Sequence, residues 1–308
     1  MALLHPKNKI SPGWIIAFVG LIAVVAIVVW VLPPLVARPA PTPTPIPTST
    51  PDIGSTWTRP ADGMVMMYVP AGTFTMGDTL DQAMAECQKV DVTCQQVEFT
   101  FEQPPHSVTL DAYWIDKTDV TNAMYALCVN AGDCQAPSYR KDYDDPIYST
   151  YPVVEVNWND AHAYCQWAEA RLPTEAEWEK AARGTDGRIY PWGNSAPTCL
   201  LANFTGGIGC PNVIVAVGSS PAGASPYGVL DMAGNVWQWV NDWYDPAYYA
   251  NSPSSNPQGP VNGTYRMLRG GAYNINGSHI RSVARNMSGP TDGGITGFRC
   301  ARQSPPTP

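Results

Sequence analysis

The sequence predicts one irregular, cross-linked domain of helices and short strands, held outside a membrane by a single span. Three observations predict this. An uncharged apolar run lies near the amino terminus, a tract of alternating proline follows it, and the rest is rich in Gly, Pro, Trp and Tyr. Charged residues are only 14% of the chain, which favours turns and aromatic packing over long amphipathic helices.

Residues 1–13 carry Lys7 and Lys9 and form a short cytoplasmic terminus. Residues 14–32 contain no charge, and about 19 residues at roughly 1.5 Å each cross a hydrocarbon core as one helix. Two lysines precede this run and only Arg38 closely follows it, so the positive-inside bias places the domain on the extracellular side of the plasma membrane. Trp14 and Trp30 fall at the two interfaces. A cleaved signal peptide is the alternative, but its apolar core is ordinarily shorter. Residues 33–59 read as a stalk, because alternating proline removes backbone donors and favours extended polyproline II. Residues 60–303 are long enough for one sizeable domain, and 304–308 form a tail.

Net charge is −8. Lys7, Lys9 and Arg38 are the only charged residues before Asp52, so the domain is more acidic than the whole chain. This excludes nonspecific nucleic-acid binding.

Within the domain, helices are predicted over 121–131, capped by Thr121 or Asp119, and over 159–170, capped by Asn157 or Asn159. A third begins after Pro173, with Thr174 as cap and Glu177 in capping-box spacing, and runs to Arg183. Glu175, Glu177 and Glu179 alternate along it and cannot share one face; Arg171 and Arg183 are candidate ion-pair partners. Strands are expected at 64–69, 106–115 and 265–268, with loop elsewhere.

Eight cysteines in an exported domain read as disulfides. Cys87 with Cys94, Cys128 with Cys134 and Cys199 with Cys210 would close short loops, although the spacing alone leaves other connectivities open. No Cys-x2-Cys pair supports zinc. His5, His106, His162 and His279 are too scattered for a local iron site.

The stretch Arg171-Leu-Pro-Thr-Glu-Ala-Glu-Trp-Glu-Lys-Ala-Ala-Arg183 is followed by Tyr190-Pro-Trp-Gly193 and Tyr227-Gly-Val-Leu-Asp-Met-Ala-Gly-Asn-Val-Trp-Gln-Trp239. Arg269-Gly-Gly-Ala-Tyr273 and Gly297-Phe-Arg-Cys300 complete the series. From about Met64 onward the chain resembles the formylglycine-generating enzyme and sulfatase-modifying-factor family. The resemblance implies an irregular α+β fold related to C-type lectins, with a small twisted sheet and two or three helices. It also implies a pairing of Cys165 with Cys300.

The namesake enzymes oxidise a sulfatase cysteine with copper held by two cysteines in the loop after their Gly-Gly-Ser-Tyr. The matching positions here are Ile275 and Ile280, and Ala272 stands where the family has serine. Aliphatic side chains cannot hold Cu(I) or exchange a disulfide, so neither copper nor a catalytic residue is expected. The resemblance implies calcium at Asp231, with carbonyls of Gly234 and Val236 and with Gln238 replacing the family's glutamate. A second calcium set would be Asn203 and Phe204. It also places a ligand cleft beside the segment after the paired glycines, with Arg269, Tyr273, Asn274, Asn276, Ser278, His279 and Arg285 as candidates for holding an extracellular glycan or peptide. The expected function is a ligand-binding or scaffolding module without copper-cysteine oxidase activity. The alternative is a formylglycine-generating oxidoreductase, or another protein-modifying enzyme of the family.

Overall fold

The computed structural model describes residues 50–89 and 92–303. The expected span at 14–32, most of the stalk and the tail lie outside them. Among the described residues no helix is long and apolar enough to cross a membrane.

Among the described residues, short strands build three small sheets. The first runs β1 (Thr56–Thr58), β2 (Val65–Val69), β5 (Tyr113–Asp116), β10 (Ala301–Arg302), all antiparallel. The second pairs β3 (Gly72–Met76) with β4 (His106–Leu110). The third has the order β8 (Arg285–Ser288), β7 (Arg266–Arg269), β6 (Trp237–Trp243), β9 (Thr296–Phe298), with β6 and β9 parallel. The helices are α1 (Leu80–Gln88), α2 (Asn122–Ala131), α3 (Trp158–Trp167), α4 (Glu175–Arg183) and the single turn α5 (Tyr248–Asn251).

Capping chemistry fixes the helix starts. The Thr121 and Thr174 side chains accept from Met124 N and Glu177 N, each at 3.2 Å, and Asn157 accepts from Asp160 N at 3.1 Å. Helix α3 stops three residues short of the expected 170, because Glu169 turns left-handed at φ 54°. The strand expected at 106–115 is two strands in different sheets, broken at Asp111, whose N–H donates to the Asn256 side chain. The stalk assigned to 33–59 also ends earlier, since Thr56–Thr58 already pairs with β2. Trp57 packs against the core there and Arg302 lies over its ring.

All eight cysteines are paired: Cys87–Cys94, Cys128–Cys134, Cys199–Cys210 and Cys165–Cys300. The last spans 135 residues and ties α3 to the strand end beside β10.

Every residue of α4 is buried, including three glutamates, a lysine and an arginine. Burying charge this way demands partners. Glu177 meets Arg171 at 2.6 Å, and Glu179 meets Arg183 at 3.1 Å and Arg269 at 2.6 Å. Lys180 donates to the Pro70 and Gly72 carbonyls, and burial pulls its pKa down to about 8. This helix is the pillar against which β6 and β7 are set.

Candidate functional site

The loop after β7 begins with Gly270 and Gly271, both at positive φ. A Cβ on Gly271 would lie 2.6 Å from Ile280 Cγ2 and 2.8 Å from the His279 carbonyl oxygen, so only glycine lets the loop close on itself. Tyr273 N–H donates to Asn235 O, and Thr205 N–H donates to Ile275 O. A short 3-10 turn, Gly277–Ile280, starts under the Asn276 side chain. The loop is thus folded tightly, and it separates the two isoleucines. Ile280 is fully buried in a cluster with Tyr190, Phe204 and Ala233. Ile275 stands at the rim of a cleft.

That cleft has a volume of about 300 Å³. Trp237 comes from the start of β6, Met267 from β7, and Arg285, Asn286 and Met287 from β8. Phe101 and Glu98 come from the 3-10 segment Gln96–Glu102, while Tyr244, Ile275 and His279 complete the wall. Phe101 and Tyr244 meet edge to face at 5.6 Å, and the His279 ring stacks on Phe99 at 5.9 Å. The surface is mainly apolar and aromatic, with amide, imidazole and carboxylate groups at its rim.

Arg285 adds no free charge to it. Its Nε and Nη2 donate to the two Glu175 oxygens at 2.7 and 2.8 Å, its Nη1 donates to the Phe101 carbonyl, and its guanidinium lies over Tyr249. Burial alone would raise the Glu175 carboxyl, but Arg285 and Arg269 outweigh it and hold the group below its ordinary value.

Of the residues expected in one ligand cleft, His279 and Arg285 line it. Tyr273 faces a separate groove, Asn276 faces a third depression beside the Cys199–Cys210 loop, and Asn274 is exposed. Two expectations are corrected. Arg269 is fully buried, donating to Glu179 and to the Ser282 and Val283 carbonyls, and so belongs to the core. Ser278 is also buried, its hydroxyl bonded to Asn276. Sequence reasoning missed Trp237, Met267, Met287, Phe101 and Tyr244, which converge from segments far apart in the chain.

The donor set does not fit copper. Ile275 and Ile280 offer no thiolate, and every cysteine is committed to a disulfide. Nor does the set around Gln238 fit calcium. Its Oε1 accepts from Trp178 Nε1 at 2.7 Å and from Arg299 Nε at 2.8 Å, and its Nε2 donates to the Asp231 carbonyl at 2.6 Å. Every polar atom of the Gln238 side chain is therefore already engaged within the protein. One Asp231 carboxylate oxygen is taken by Gly218 N–H, and burial raises that carboxyl above its ordinary value. Asn203 keeps one buried, unpartnered Oδ1 beside a void of about 10 Å³, room for a single water. The Phe204 side chain packs in the Ile280 cluster, while its expected role in the second calcium set rests on its backbone carbonyl. Among the described residues no group of three or more His, Cys, Asp and Glu is placed to hold a metal ion.

The family model described as "Sulfatase-modifying factor enzyme 1-like domain" matches residues 52–304. The chain is 33% identical over 301 residues to a formylglycine-generating enzyme of Streptomyces coelicolor, covering 80% of this chain and 91% of that protein. A hercynine oxygenase of Mycolicibacterium smegmatis is 30% identical over 75% of this chain and 59% of its own length. Among solved structures, PvdO from Pseudomonas aeruginosa superposes with a TM-score of 0.67 at 28% identity, covering 82% of this chain and 99% of that one.

Proposed function

This chain belongs to the sulfatase-modifying factor enzyme 1-like family, and we propose that within it the protein is a membrane-anchored, extracellular ligand-binding module without copper-thiol chemistry. One observation carries the reading. At the loop where the namesake enzymes place two cysteines, this chain has one isoleucine in the core and one at the rim of an aromatic cleft.

A concave surface of about 300 Å³ with aromatic walls and a few polar groups at its edge suits one apolar side chain of a peptide, with Asn286 and Glu98 at the rim to meet its backbone groups. Arg285 is neutralised in place by Glu175, which leaves Glu98 as the charged group at the rim, so selection would rest chiefly on shape and apolar contact. Export is supported by the uncharged run at 14–32 and by four disulfides, which suit an oxidising compartment.

The test is a peptide array probed in parallel with the protein and its Trp237→Ala variant. Retained peptides should carry an aliphatic or aromatic anchor, and the variant should lose them. Peptides bound equally by both proteins would count against the cleft as the binding site.

A further inference from the structure

The segment between α2 and α3 turns another face of the domain into a tyrosine-lined groove of about 390 Å³. Tyr139, Tyr143, Tyr148 and Tyr151 come from this segment and Tyr273 from the loop after β7. The groove shares no lining residue with the cleft described above. Tyr148 and Tyr151 meet edge to face at 5.0 Å, and Tyr143 sits edge-on to the buried Tyr125 at 6.3 Å, so the rings are braced from behind. Tyr139 is 56% exposed. Among the described residues no hydrogen bond ties any of these five hydroxyls to the protein.

The edge of the groove is acidic. Asp142 lines it, and residues 140–145 hold three aspartates against Arg140 and Lys141. Arg140 is committed to Asp144 through two bonds, leaving Asp142 open to solvent.

We propose that this groove binds a proline-rich segment in polyproline II form with an arginine beside it. Such a segment has flat pyrrolidine faces for the rings and carbonyl oxygens without internal partners, which unpaired tyrosine hydroxyls satisfy. Its conformation is already extended, so binding orders little. The arginine meets Asp142. A sugar fits less well, because it needs several fixed polar groups converging on its hydroxyls. Here the Asn122 amide is already spent on the Tyr148 carbonyl. The sequence itself contains a run of the required chemistry, Arg38-Pro-Ala-Pro-Thr-Pro-Thr-Pro-Ile-Pro47.

The test is titration of a labelled synthetic peptide with the sequence of residues 38–47 into a full-length chain in detergent whose prolines 39–47 are changed to serine. Saturable binding is expected, weakened roughly tenfold by Tyr139→Ala with Tyr148→Ala. Asp142→Asn should weaken it several-fold, and that loss should vanish with an Arg38→Ala peptide. Melting temperatures of these surface variants check that each remains folded. No saturable binding, equal binding of an all-serine peptide, or binding indifferent to the tyrosines would overturn the proposal. Binding of an N-acetylglucosamine trimer in place of the peptide would do so equally.

Discussion

Arg285 grips Glu175 with a two-pronged hydrogen bond, 2.7 and 2.8 Å, at the point where α4 meets β8. Both side chains are nearly fully buried, at 3% and 2% exposure. The pair fixes the wall of the cleft and cancels the charge that an arginine there would otherwise present. Glu175 also lies 3.4 Å from Arg269, which reaches on to Glu179, so two acids of α4 and two arginines of the sheet form one buried network.

Glu175→Gln leaves a buried guanidinium short of its counter-charge. Chemical denaturation should show a loss of about 3–5 kcal/mol, the usual result of removing one partner of a buried pair. A loss under about 1 kcal/mol would mean that the network is not what holds α4 to the sheet.

Gln238, implied by the resemblance as a calcium ligand, spends its amide on Trp178, Arg299 and the Asp231 carbonyl. The melting temperature of the wild type should therefore not respond to calcium or to a chelator. Gln238→Glu sets a carboxylate against the Asp231 carbonyl and removes the N–H donated to it. That variant should melt lower without calcium and recover when calcium is added. Calcium-dependent melting of the wild type would contradict the reading.

Asp242 sits behind Glu175, accepting its backbone N–H at 2.8 Å, and burial together with the Glu175 charge pushes its pKa up to about 8. The folded state thus keeps a proton that the unfolded chain releases near about pH 4. Between those values the folded state binds more protons, so stability falls as pH rises from about 4 and levels off above about 8. Asp242→Asn keeps the acceptor and removes the titration. Thermal melts across this range should slope downward in the wild type, and the variant should lose the part of the slope above about pH 6, since Asp116, raised to about 6, still titrates below it.

The Cys165–Cys300 bridge closes the longest loop in the fold. Replacing both with alanine should cost about 4–5 kcal/mol if the stabilisation comes from restricting the unfolded chain. Alkylation of the denatured, unreduced wild type should label no cysteine.

Much of the helical framework was legible because its signals are local. Thr121, Asn157 and Thr174 announce their helices through cap chemistry that spans a few residues. Helix α1 was missed although Thr79 and Gln82 stand in cap spacing, Thr79 does accept from Gln82 N, and Leu80, Ala83, Met84 and Cys87 form a short apolar stripe that packs on Phe99. The site was less legible. Arg269 and Arg285 look like ligand charges until the burial of α4 is known, and a helix with five charged residues out of nine gives no sign that every side is covered. Trp237, Met267 and Met287 become neighbours only through the pairing of β6, β7 and β8. The absent thiols, by contrast, could be read directly, since Ile275 and Ile280 fall at fixed distances from the paired glycines.

The most direct test of the central claim is mass spectrometry of a Cys-x-Pro-x-Arg sulfatase peptide incubated with the purified protein, oxygen and Cu(I), beside an active family oxidase. The account predicts that the cysteine is recovered unchanged while the control converts it. Formylglycine formed by this chain would contradict the account and require a copper site that uses neither Ile275 nor Ile280.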